Sequence, residues 1–168
     1  MIISASRRTD VPCLYADWFC GRLREGFALV RNPVNARQVS RVTLSPGVVD
    51  GIVFWSKNPK PMLGKLRQLA PYPHYFQFTL NAYGQDVEPC LPPEGERVDT
   101  FKALADKIGP ERVIWRYDPI LLNHIYTAEY HIAAFGRLAA ALRGHTKTCT
   151  ISFLDFYPAI RKRMGAAG

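Results

Sequence analysis

The chain is poor in cysteine: four in 168 residues, at positions 13, 20, 90 and 149, with no two forming a CxxC pair. That excludes a disulfide-stapled framework and leaves buried free thiols as the expected state. Cys13 and Cys20 stand seven apart, a spacing that would put both on one helix face, but no third cysteine or histidine lies near enough to complete a metal set. No stretch approaches the roughly 18 consecutive apolar residues of a membrane span. No basic-then-apolar leader precedes the strand-like run that starts at Ile2. The expectation is a cytoplasmic protein with no membrane partner. HxH, HExxH, Walker A and GxGxxG motifs are all missing, as is the GxSxG elbow of serine hydrolases.

Carboxylates are scarce in the first part of the chain. Residues 1–67 hold eleven Lys and Arg against four Asp and Glu, a balance of +7, whereas residues 68–168 hold eleven against ten. Arg outnumbers Lys fifteen to seven, and Arg is the better bidentate partner for phosphate and carboxylate. A small anionic ligand fits that bias; so does a merely solvated basic face.

What the sequence does contain is a repeated pattern. Five apolar runs of strand-like composition end abruptly in charged or amide residues: Ile2 to Asp10, Gly51 to Pro59, Tyr75 to Asn81, Arg112 to Pro119 and Cys149 to Asp155. In parallel α/β proteins ligands bind outside the carboxyl ends of the strands, so polar side chains placed there form the floor and rim of a site.

Between the runs lie helical patterns. Asp10 followed by Val-Pro reads as a helix start, with Leu14, Trp18, Phe19 and Leu23 as its apolar face to about Glu25. Residues 27–44 read as a β-hairpin around Asn-Pro-Val-Asn. After the second run, Asn58 caps a helix with Pro59 and Pro61 in its first turn and Met62, Leu63, Leu66 and Leu69 as the buried stripe. The Gly- and Pro-rich segment 81–96 reads as a long loop, either a lid or a plain excursion. Val98, Phe101, Leu104, Ala105 and Ile108 repeat at helical spacing up to Gly109. A further helix opens at Thr127 and carries His131, Phe135, Leu138 and Leu142, with His131 packed rather than catalytic, and residues 159–168 read as a helix cut short. The whole predicts one α/β domain, either a partial (β/α) barrel or an open parallel sheet of about five β-α units with an inserted hairpin.

Candidate chemistry follows the strand ends. Ser6, Arg7, Arg8 and Asp10 combine a hydroxyl, two guanidinium groups and a helix-capping carboxylate, an anion site or else an Arg–Asp pair that locks the turn. Lys57 and Asn58 follow the second run; Gln77 and Thr79, two apart, share one face of the third. Arg116 and Asp118 share a strand face, as a salt bridge or as catalytic groups, and Asp155 adds a carboxylate at the fifth end. Lys57, Arg116, Asp118 and Asp155 are the candidates for acid–base work; Ser6, Arg7, Arg8, Asp10, Asn58, Gln77 and Thr79 are the candidate ligand contacts. No metal site is expected in the chain.

Read together, ISASRRTDVP, LVRNPVNARQVSRVTLSP, FWSKNP, YFQFTLNAYG, IGPERVIWRYDPI and ISFLDFY resemble a microbial family known only as domain of unknown function 1848, over essentially the whole chain. The resemblance implies a partial barrel related to radical S-adenosylmethionine enzymes. It also implies longer chains whose cysteine-rich C-terminal segment holds an iron–sulfur cluster. This chain has no CxxxCxxC or other close cysteine group, and such a cluster needs three thiolates together. The expectation is therefore the N-terminal part of such a protein, with no cofactor of its own. The rival expectation is a basic, non-catalytic module that binds nucleic acid or phosphorylated ligands through Arg22, Arg24, Arg37 and Arg41.

Overall fold

The structure, a computed structural model, describes residues 1–6 and 8–154. Arg7, Asp155 and the expected short helix over residues 159–168 lie outside the described residues. Five strands, β1 (Ile2–Ala5), β4 (Gly51–Ser56), β5 (His74–Thr79), β6 (Val113–Ile120) and β7 (Cys149–Phe153), form one parallel sheet in the order β1-β4-β5-β6-β7. Strands β2 (Phe27–Arg31) and β3 (Val39–Thr43) form a separate antiparallel pair. The α/β class with an inserted hairpin is as expected, and a partial barrel is compatible with it. Among the described residues no helix is long and apolar enough to cross a membrane.

The chain divides into two compact units, residues 1–77 and 78–168. In the first, β1 pairs with β4 in register from Ile2–Gly51 to Ala5–Phe54. Phe54 is fully buried, stacked on Phe76 at 4.7 Å between centroids and edge-on to Phe19 at 5.4 Å. The expected helix from Asp10 to Glu25 is two helices, α1 (Val11–Leu14) and α2 (Ala16–Glu25), broken at Tyr15, whose φ is −133°. The break changes the helical phase, so Leu14 and Trp18 are 66% and 49% exposed, and Ala16, Phe19, Cys20 and Leu23 carry the buried stripe. Gly26, at φ 78°, ends α2 and turns the chain into β2, a backbone conformation open to glycine without Cβ strain.

The segment after β4 is a 3-10 helix, Lys60–Leu69, where an α-helix was expected. Pro61 has no N–H to give an α ladder, and three residues per turn redirect the side chains. Only Met62 and Leu69 of the expected stripe are fully buried; Leu63 and Leu66 are partly exposed.

In the second unit α3 (Glu94–Ile108) starts four residues before the expected Val98, and it buries Arg97 and Thr100 beside Phe101, Leu104, Ala105 and Ile108. Strand β6 runs on through a cis Asp118–Pro119 peptide to Ile120. α4 (Ala128–Ala141) begins where expected, with the Thr127 side chain accepting a bond from the Tyr130 N–H. Strand β7 pairs in parallel with β6 from Trp115–Cys149 onward, with a register shift between Tyr117 and Ile120. The thiols are not all buried: Cys20 is, Cys13 is partly exposed, and Cys90 and Cys149 are exposed.

Candidate functional site

In the first unit the polar residues after β1 and β4 meet at Asp10. Its Oδ1 accepts the Cys13 N–H at 2.9 Å, capping α1; its Oδ2 accepts both the Ser56 hydroxyl and the Lys57 N–H, each at 2.9 Å. Ser56 in turn accepts the Asn58 N–H at 3.1 Å, and Asn58 Oδ1 accepts the Lys60 N–H at 3.4 Å. One carboxylate thus ties the end of β4 to the turn after β1. Ser6 adopts φ 90° and its hydroxyl accepts the Val11 N–H at 3.2 Å. A non-glycine residue at positive φ persists only where surrounding structure holds it; here the Val11 N–H bond to the Ser6 hydroxyl does so.

The free amides that an anion would seek at the start of α1 are therefore already used. Val11 donates to Ser6, Cys13 donates to Asp10, and Pro12 has no N–H. Arg8 is exposed and donates to the Arg31 carbonyl at 2.6 Å, at the end of β2. Beside it lies a cleft of about 370 Å³ between the outer edge of β1, α2 and the hairpin, lined by Ser6, Arg8 and Thr9 at its polar end and by Ala28, Val30 and Val42. Gln77 is half-buried on β5 with its side chain on the same strand face as Thr79.

In the second unit the groups gather on Asp118. Its Oδ2 pairs with Arg116 and its Oδ1 accepts the Ser152 hydroxyl, and the Arg116 and Asp118 side chains are each 17% exposed. Asn81, 1% exposed, clamps the same residue's backbone: Oδ1 accepts the Asp118 N–H at 2.8 Å and Nδ2 donates to the Asp118 carbonyl at 3.1 Å. A side-chain amide here supplies the donor and acceptor that a neighbouring strand would otherwise supply. Thr79 lies partly exposed two residues before Asn81, at the end of β5.

Both carboxylate oxygens of Asp118 carry donors, so it orients Arg116 and Ser152 and neutralises the guanidinium. An incoming anion would have to compete with Asp118 for Arg116. Arg116 and Asp118 were the sequence candidates here; Asn81 and Ser152 were not. Asn81 shares the parity of Gln77 and Thr79, and Ser152 follows from the Arg116–Thr150 register one strand over. Strand parity would have found the first, but only pairing reveals the second.

Behind this group lies a hydroxyl-rich aromatic nest. Tyr83 donates to the Pro119 carbonyl and accepts the Leu121 N–H, both at 2.7 Å, and Tyr126 donates to Asp86 at 2.6 Å. His131, 6% exposed, lies 2.7 Å from the Tyr117 hydroxyl through Nδ1 and 2.9 Å from the Leu121 carbonyl through Nε2. A carbonyl only accepts, so Nε2 carries the hydrogen, Nδ1 is the acceptor and Tyr117 donates. Burial pushes the Tyr117 phenol well above its usual range, which keeps it a donor. His131 is packed, as expected. His131→Phe leaves a buried hydroxyl and a carbonyl without partners and should cost about 2–4 kcal/mol in urea unfolding. Tyr117→Phe made on top of it should cost less than it does alone.

Among the described residues no three His, Cys, Asp or Glu side chains are grouped to hold a metal ion. No curated protein and no solved structure matches the chain. The family model described as domain of unknown function DUF1848 matches residues 2–167, nearly the whole chain, and the chain belongs to that family.

Proposed function

We propose that the chain is an enzyme-type α/β domain whose site lies at the carboxyl end of β6 and takes a small anionic ligand. The observation that carries this reading is the convergence of Arg116, Ser152 and Asn81 on Asp118, a partly exposed charged group placed where parallel sheets bind ligands. In it Arg116 is the anion clamp, and Asp118 holds the guanidinium in place until the ligand arrives. The Asp10, Ser56 and Lys57 group of the first unit is a second strand-end cluster, in which Asp10 serves as a scaffold for the backbone that presents Lys57 and Asn58.

A radical reaction of S-adenosylmethionine, implied by the family resemblance, would need an iron–sulfur cluster. The four cysteines do not form the group of three thiolates that binds one, and the described residues offer no substitute. No step through such a cluster is assigned to these side chains; longer relatives would supply it from their own cysteines. Exposed free thiols at Cys90 and Cys149 suit a reducing compartment, and we place the protein in the cytoplasm on that ground.

The test is amide chemical-shift mapping of the isotope-labelled chain with millimolar inorganic phosphate. Shifts are expected at residues 79–83, 116–120 and 150–153, and Arg116→Gln should weaken them at least tenfold, the scale of one lost charged hydrogen bond. Shifts confined to residues 27–43, or equal binding by Arg116→Gln, would overturn the site.

A further inference from the structure

The strand-end site leaves the hairpin unexplained. Residues 27–43 contain Arg31, Arg37 and Arg41 and no Asp or Glu. All three arginines are exposed. In the β2–β3 register Leu29 faces Arg41 and Arg31 faces Val39, so Arg31 and Arg41 stand diagonally on one face of the ribbon with Phe27. The Arg41 guanidinium lies 4.3 Å over the Phe27 ring, which holds it along the ribbon. The opposite face, with Ala28, Val30 and Val42, lines the cleft against β1. One side of the ribbon is thus anchored and the other is presented to solvent.

The tip differs from the strands. Asn32 closes it by accepting the Val34 and Asn35 N–H groups at 2.9 and 3.2 Å and by donating to Gln38 at 2.8 Å; Asn35 accepts the Arg37 N–H at 3.1 Å. These bonds fix a turn that carries Pro33 and Val34 outward, with Val34 94% exposed. An apolar point on a stiff, acid-free arginine ribbon has nothing to bury within its own unit. At the tip end of β2 Arg8 holds the Arg31 carbonyl, and at the ribbon's base the last turn of α2 brings Arg22 and Arg24, the former paired with Glu25.

We propose that the β2–β3 ribbon is a docking arm for double-stranded DNA. Arg31, Arg37 and Arg41 contact phosphates, and the Pro33–Val34 tip presses against a base step in the minor groove. Two-stranded ribbons fit DNA grooves, and apolar wedges including proline part base steps in proteins that bend the duplex. Phosphate contact explains the missing carboxylates, and a wedge explains the rigid exposed tip; a simple acidic protein partner would explain only the first.

The test is fluorescence anisotropy of a labelled 25-base-pair duplex with the full chain at 50 and 200 mM NaCl. Three phosphate contacts predict a slope near −2.7 in log affinity against log salt, about a 40-fold loss over that range. Arg31→Gln/Arg37→Gln/Arg41→Gln should bind at least tenfold more weakly at 50 mM, with a nearly flat slope. Pro33→Ser/Val34→Ser should keep the slope but lose the shortening of the duplex read by energy transfer between its labelled ends. These side chains are exposed, and unchanged circular dichroism controls for folding. No binding by the wild type at 50 mM, a triple variant that binds equally, displacement by polyglutamate at equal charge, or tighter binding of RNA than of DNA would each overturn the proposal.

Discussion

Replacing Glu88 with Ala is expected to destabilise the second unit by about 3–5 kcal/mol, the cost of leaving one charge of a buried pair uncompensated. Glu88 Oε2 lies 3.2 Å from Nη1 of Arg97, and the two side chains are 6% and 3% exposed. Nε of Arg97 has no hydrogen-bond partner among the described residues, so the guanidinium already sits in poorly compensating surroundings. Removing the carboxylate leaves a buried cation with less still. Since small domains are stable by roughly 5–15 kcal/mol in total, the loss should show as a large fall in the urea midpoint. Replacing both residues together, Glu88→Leu with Arg97→Met, should recover most of it, because the desolvation of both charges disappears. A single-variant loss below about 1 kcal/mol, on the scale of exposed pairs, would show that the pair is not desolvated in solution. The pair also bears on the long loop before α3. Glu88 and the Tyr126–Asp86 bond pin that loop to its own unit, which argues for a fixed rim over a swinging lid.

The second large effect belongs to Asp10. Asp10→Ala removes the cap of α1 and the acceptor of Ser56 and Lys57 at once, and should cost about 2–4 kcal/mol, from roughly 1 for the cap and roughly 0.5–1.5 for each of the two further hydrogen bonds. Asp10→Asn should do little better. Oδ2 faces two donors, the Ser56 hydroxyl and the Lys57 N–H, and an amide nitrogen in its place adds a third donor where an acceptor is needed. Turning the amide over moves the same conflict to the Cys13 N–H. Asp10→Glu is too long to satisfy both sides. Thermal unfolding of the three variants checks this: full stability in Asp10→Asn would show that the carboxylate's charge and second oxygen are dispensable.

Some of this was legible in the chain. Runs such as GIVFWSKNP and YFQFTLN are short, β-rich and bounded by polar residues, so their strand character is a local property. The cap at Asp10, the start of α4 at Thr127 and the hairpin between Arg31 and Val39 were likewise local and are as expected. The face shared by Gln77 and Thr79 needed only the period of two. Where expectation and structure part, the cause is a change of phase. Tyr15 breaks a helix whose apolar spacing looked continuous, and Pro59 with Pro61 turns an α-helix into a 3-10 helix.

By itself, then, the sequence determined the α/β class, the order of the units and the positions of the polar strand ends, because periodicity, capping and strand composition act over a few neighbouring residues. Only the tertiary structure decided what those ends do to one another. Asp10 reaches across 46 residues to Ser56, Asp118 across 34 to Ser152, and Glu88 finds Arg97 in the interior. Each partnership depends on which strands lie side by side and which charges are desolvated, and neither is set by local spacing.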